Sequence, residues 1–260
     1  MEAQTTATPD TLVAVMLCPW LNQSPDVIAQ THQDYWSSPI KASWPEAVQE
    51  GEVWAQGTIE FEDGTIAQIL VEEPLPDAMD LVGECPIAFQ TSELHLLEAQ
   101  RSCWRVSIPA GSKRGKRAAR HLIELMTTFT SAGAAAVFMP ALMRLHSPGF
   151  IRQEGQDPQK PETIAKLCLS AWHEDGWMVT RGLTALGMPE LEVPTNQGLN
   201  GAFFCLMDVA ANMIFQMNTY PSGRQLQIGH QLYDIHTGPK GPEDDLGVNG
   251  IFGTMTLSPA

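Results

Sequence analysis

The spacing of apolar and polar positions changes period several times along the chain. "TLVAVMLCPW" (11–20) is nearly continuous apolar sequence stopped by Pro19, the pattern of a buried strand. In "SPDVIAQTHQDYW", Ser24 stands at an N-cap position with Pro25 at the first helical position. Val27, Ile28, Tyr35 and Trp36 then predict an apolar helical stripe. The period drops to two in "EVWAQGTIEFEDGTIAQILVEEPLP", where Ile59 and Phe61 fall on one side and Glu60 and Glu62 on the other. Asp63-Gly64 lies between two runs of β-formers, which predicts a hairpin closed by a tight turn with both central residues at positive φ. A short helix is expected over 77–83.

A similar order then recurs. "SCWRVSIP" reads as a strand, "SKRGKRAARHLIELMTTFTSAG" as a helix closed by Gly133, and "AAAVFMP" as another strand. "TIAKLCLSAWHE" is helical or mixed. A strand pair follows within "WMVTRGLTALGMPELEV" (177–193), then a long apolar helix, "LNGAFFCLMDVAANMIFQM". The strands "RQLQIGHQLYDI" and "GIFGTMTLS", joined by the loop "HTGPKGPEDDLG", complete the chain. Short turns between several strands argue against a purely parallel sheet. The expected fold class is α+β, with mixed or antiparallel sheets and helices packed on one face, arranged as two similar ferredoxin-like halves. The N-terminal half spans 1–100, and the C-terminal half, 101–260, carries the Gly-Pro-Glu element. "RQEGQDPQKPE" (152–162) is the candidate linker, or else a long surface loop.

Composition narrows the function. In 260 residues, 43% hydrophobic and 17% charged content allow a sizeable core. Thirty acidic against fifteen basic residues give a net charge of −15. That field repels nucleic-acid phosphates and anionic membranes, and steers a basic protein partner toward the chain. Cys18, Cys85, Cys103, Cys168 and Cys205 are odd in number, form no C-x-x-C pair and lie mostly in apolar contexts, as buried free thiols do. "MEAQTTATPD" has neither a basic nor an apolar targeting segment, and no apolar run approaches the roughly 18 residues of a membrane span. A cytoplasmic location is expected, without nucleic acid or membrane as partner.

Candidate chemistry is sparse. "IPAGSKRGKRAARHL" has a strand, glycines, a lysine and a helix start, but only three residues separate Gly111 from Gly115, and Arg117 follows Lys116. A phosphate loop needs four residues there and a hydroxyl after the lysine. Lys113, Arg114, Lys116, Arg117 and Arg120 nevertheless hold a third of the basic residues. They form either a solvated helix face or a docking patch. No histidine pair has zinc-binding helical spacing. His230, Asp234 and His236 fall on one face of an extended segment, too far apart for three-way chelation, so no metal and no cofactor is expected. In the 177–193 stretch, Gly182 and Gly187 permit a bend and a positive-φ turn, and Pro189 opens the next strand. Glu190 and Glu192 then share a face about 7 Å apart, with Leu191 and Val193 pointing into the core. They are an acid–base pair or the wet side of a half-buried strand.

"TRGLTALGMPELEV", read with "AAAVFMPALMRLHSPGF" and the long apolar helix, resembles the bacterial domain of unknown function 4261 family, in which a "GL…FG.PE.E" segment follows a strand and precedes a helix. The resemblance is strongest over 130–257 and fainter in "VEEPLP" and "SELHLLEAQRSCWRVSIP". The chain departs from the family at Leu186, and at Phe138-Met139, where aromatics are usual. The resemblance implies a framework role for the Gly-Pro-Glu element and carries over no reaction. The leading expectation is therefore a non-catalytic binding protein, of immunity or antitoxin-like type, occluding a protein partner. The alternatives are a hydrolase-like or small-molecule-handling enzyme using Glu190 and Glu192 with Arg181 or His230, and an assembly subunit or homo-oligomer joined through 199–217 or 112–131.

Overall fold

Seven strands build the first sheet: β1 (Thr11–Cys18), β2 (Ile40–Ser43), β3 (Ala55–Phe61), β4 (Ile66–Glu72), β5 (Ser102–Pro109), β6 (Ala136–Met139) and β7 (Arg144–His146). The computed structural model describes residues 11–45, 54–85, 88–110, 114–238 and 253–260. The strand order is β2-β3-β4-β5-β1-β6-β7, antiparallel throughout. Four helices accompany it: α1 (Pro25–Trp36), α2 (Thr91–Glu98), α3 (Gly115–Ser131) and α4 (Pro148–Glu154).

The unbroken apolar run of β1 follows from its place near the middle of this sheet, where side chains are buried on both faces. On one face Val15 and Leu17 join Cys103, Ala136 and Phe138 in a cluster closed by Ala78 of a 3-10 turn (Ala78–Glu84) and Leu97 of α2. On the other, the fully buried Trp104 packs edge-to-face with Trp44 and at a tilt against Phe129 of α3, at centroid distances of 5.2 and 5.8 Å. Helices therefore cover both faces of this sheet, which corrects the expectation of one covered face.

Two local expectations shift in detail. Helix α1 starts at Pro25 after Ser24, but it buries Ile28 and His32, a 4-residue step, and leaves Val27 and Tyr35 exposed. His32 tolerates burial because Nδ1 donates to the Ser38 carbonyl at 2.8 Å, and burial pushes its pKa below the usual histidine range. In the β3–β4 hairpin only Gly64 has positive φ, at 79°. Gly64 N–H donates to Phe61 C=O and Phe61 N–H to Thr65 C=O, so the turn has three residues with glycine in the left-handed position, not two.

The second sheet has six strands. Helix α5 (Pro161–Cys168) leads into β8 (Ser170–Glu174), β9 (Trp177–Arg181) and β10 (Glu190–Pro194). Helix α6 (Leu199–Gln216) follows, then β11 (Gln225–Ile228), β12 (Gln231–Thr237) and β13 (Thr254–Pro259). The order is β11-β12-β13-β10-β9-β8, with β10 and β13 parallel and the other pairs antiparallel. "RQLQIGHQLYDI" is two strands, because Gly229 (φ 58°) and His230 turn the chain between Ile228 and Gln231. Helix α6 packs on this sheet and on α5 through Ala202, Cys205, Leu206, Val209, Ala210, Met213 and Ile214, the i, i+3, i+4 spacing of one helical face. By length and composition α6 could cross a membrane, yet 44% of it is buried within the fold.

The fold is α+β with two mostly antiparallel sheets. Seven- and six-stranded sheets of different order are not two similar ferredoxin-like halves, so the recurring strand–helix–strand order is no duplicated fold. The division also moves. One compact unit holds Thr11–Pro109 and Arg120–Pro158, the other Ala110–Ala119 and Gln159–Ala260, in place of a single cut near residue 100. The later boundary, at Pro158 and Gln159, falls within the proline-bearing 152–162 segment.

Candidate functional site

Strand β10 is where sequence reasoning placed a carboxylate pair, and it is an interior strand between β9 and β13. Its register puts His236, Thr256, Glu192, Val179 and Trp172 in one row across five strands. Alternation adds Glu190 and Arg181 to the same face, while Leu191 and Val193 enter the opposite, apolar face as expected. The carboxylates are not the wet side of a half-buried strand, since Glu190 and Glu192 are 2% and 1% exposed.

Each carboxylate serves local structure. Thr180 Oγ1 donates to Glu190 Oε2 at 2.8 Å, and the N–H groups of Gly182 and Thr184 donate to Oε1 at 2.9 Å each. Glu190 thus closes the loop that precedes it, supplying the acceptor for the start of a 3-10 turn (Thr184–Leu186). Gly182 (φ 116°) and Gly187 (φ 81°) take backbone conformations that side chains disfavour, and Pro189 stands immediately before β10. Burial pushes the Glu190 carboxyl above the usual range, partly offset by these hydrogen bonds. Glu192 accepts a short hydrogen bond from Thr256 Oγ1. Arg181 stacks its guanidinium on Trp172, 4.5 Å from the ring centre.

His230 is not in this array. It is exposed in the β11–β12 turn, and the histidine in the Glu192 row is His236. That turn also removes His230 from the face shared by Asp234 and His236. No group of three or more His, Cys, Asp or Glu arranged to hold a metal occurs among the described residues. Four cysteines are buried, and burial pushes Cys103 and Cys168 up to about 12 and Cys205 to about 11, so these thiols are poor nucleophiles.

The basic cluster at the start of α3 is spread over separate tasks. Lys113 lies outside the described residues. Arg114 and Arg117 are exposed. Lys116 Nζ lies 5.5 Å from the centre of the Phe215 ring, and Arg120 Nε donates to Glu124 Oε1 at 2.8 Å. Gly115 is the first residue of α3. A Cβ on it would come within 2.4 Å of the Leu186 carbonyl oxygen, so it is the close approach between α3's first residue and the loop before β10 that requires glycine.

Sequence reasoning missed a second ionic cluster, in the first unit. His121 Nδ1 meets Glu124 Oε2 at 2.8 Å and its Nε2 meets Asp63 Oδ2 at 3.1 Å, while the ring stacks on Phe61 at 3.9 Å. Burial opposes charge on Asp63 and Glu124, but bonds from His121, with Thr65 and Arg120 respectively, outweigh it and hold both carboxyls low. The i, i+3 spacing of His121 and Glu124 was legible, whereas Asp63 is 58 residues away. The cluster pins the hairpin tip to α3.

The outer side of α6 differs from all of these. Phe204 and Phe215 lie on it, 64% and 66% exposed, while Leu199 and Phe203 are exposed near the helix's N-terminal end. Beside it opens a cleft of about 570 Å³ between the start of α5, α6 and β11. No family model matches the chain, and neither does any curated protein or solved structure.

Proposed function

We propose that the chain is a non-catalytic binding protein whose partner is a basic protein, as in an immunity or antitoxin-like protein. The observation that carries this reading is the outer face of α6, where large aromatic side chains stay in water although the fold has a full core elsewhere. Exposed aromatics of this kind are the usual anchors of protein interfaces. The net charge of −15 would speed encounter with a basic partner. It would also oppose stacking of identical copies, which weighs against the assembly-subunit reading. Glu190 already accepts three hydrogen bonds, which weighs against its service as an acid or base in a hydrolase-like enzyme. Membership of the domain of unknown function 4261 family belongs to the same proposal and rests on the loop held by Gly182, Gly187, Pro189 and Glu190.

The test is capture from the native cell at low and then moderate salt, read by mass spectrometry, followed by titration of the purified candidate. One dominant basic protein, binding one to one and released as salt rises, is the expected result. A chain that captures nothing at either salt, or whose partner is acidic, would sink the proposal.

A further inference from the structure

Resting on that reading, we propose that the cleft beside α6 receives a lysine or arginine side chain of the partner, while apolar neighbours of that side chain settle on the aromatic face. The cleft, at about 570 Å³, is lined by Val209, Ala211 and Phe215 of α6, by Leu226 and Ile228 of β11, and by the carboxylates Glu162 and Asp208. Its size lies within the range of about 300–1,000 Å³ common for binding clefts. Neither carboxylate has a hydrogen bond or ion pair among the described residues, unlike Glu72, Glu93, Glu124 and Glu190, which all do.

Glu162 and Asp208 are both solvent-exposed, so two carboxylates stand open to a partner at a partly apolar cleft, an arrangement complementary to an alkyl cation. Lysine and arginine suit this lining, with an apolar stem for Leu226 and Ile228 and a charged head for Asp208 and Glu162. Phe215 adds a ring that attracts cations, as its contact with the chain's own Lys116 illustrates. A second copy of this chain would bring the same excess of negative charge. A membrane surface would answer the aromatic face but leave the two carboxylates without counter-charge. The partner chemistry that satisfies both features is a basic amphipathic segment.

The test uses the full chain, a labelled helical peptide of leucine and lysine, and the leucine–glutamate peptide of the same pattern, read by fluorescence anisotropy. The lysine peptide should bind saturably and lose about fivefold or more in affinity with Glu162→Gln plus Asp208→Asn. Asp208→Lys should weaken it further, and Phe215→Ala should weaken it at unchanged salt dependence. Circular dichroism checks that these surface variants fold. Equal binding of the lysine peptide to wild type and the double variant, equal binding of the glutamate peptide, or no saturable binding would each overturn the assignment. So would co-sedimentation with phosphatidylcholine vesicles that Phe204→Ala plus Phe215→Ala abolishes. A native partner whose capture survives the double variant would overturn the cleft and spare the binding function. Peptide binding that needs both carboxylates, in a chain with no native partner, would support the cleft and remove that function.

Discussion

Glu190 shows how much one buried carboxylate can determine. Its three donors would be left unpaired by Glu190→Ala, with an expected loss of about 3 kcal/mol in a urea titration. Glu190→Gln keeps an acceptor and should cost less. Because burial raises the Glu190 pKa in the folded state, the folded chain holds that proton more tightly than the unfolded one. Its contribution to stability is therefore greatest below the unfolded carboxylate value and declines as pH rises through the raised folded value. Asp63 and Glu124 act in the opposite sense. Their folded values are depressed, so their contribution is present above the unfolded value of about 4 and is lost as pH falls below it. Melting curves should show Asp63→Asn losing less stability between pH 5 and pH 3 than wild type, each compared with its own value at pH 5, within the roughly one- to two-unit span over which a carboxylate titrates.

At the scale of elements, Gly115→Ala is a sharp test of the contact with Leu186. In an exposed helix interior that change ordinarily stabilises by about 0.5–1 kcal/mol. Here the new Cβ would meet a backbone oxygen at 2.4 Å, so thermal melting should show a loss of about 1–3 kcal/mol. The same contact explains what could be read in advance. Periodicity within about ten residues placed β1, β5, α3 and α6, because burial of one face or both writes itself locally. Glycines marked the loop before β10. The burial of Glu190 and Glu192 was not legible, since it depends on β13, whose Thr256 is 64 residues beyond Glu192. Asp63 with His121 was hidden for the same reason. His230 was misplaced because a two-residue turn at Gly229 interrupts a segment whose β-forming character is otherwise continuous. The outer face of α6 was visible only as general apolarity until its buried side was known.

For the whole molecule, the net charge of −15 predicts a rate effect separable from the contacts. Association with a basic partner of the proposed kind should slow steeply from low to moderate salt in stopped-flow measurements, while dissociation changes little. The covalent path through the two units has its own consequence. Ala110–Ala119 groups with Gln159–Ala260 although Arg120–Pro158 comes between them in sequence. On the ribosome the second unit must wait with an early segment in hand until residues made dozens of codons later arrive to meet it. A gene split after residue 158 would strand that segment on the wrong product, with Gly115 on one polypeptide and Leu186 on the other. Two such fragments should regain the fold only when expressed together.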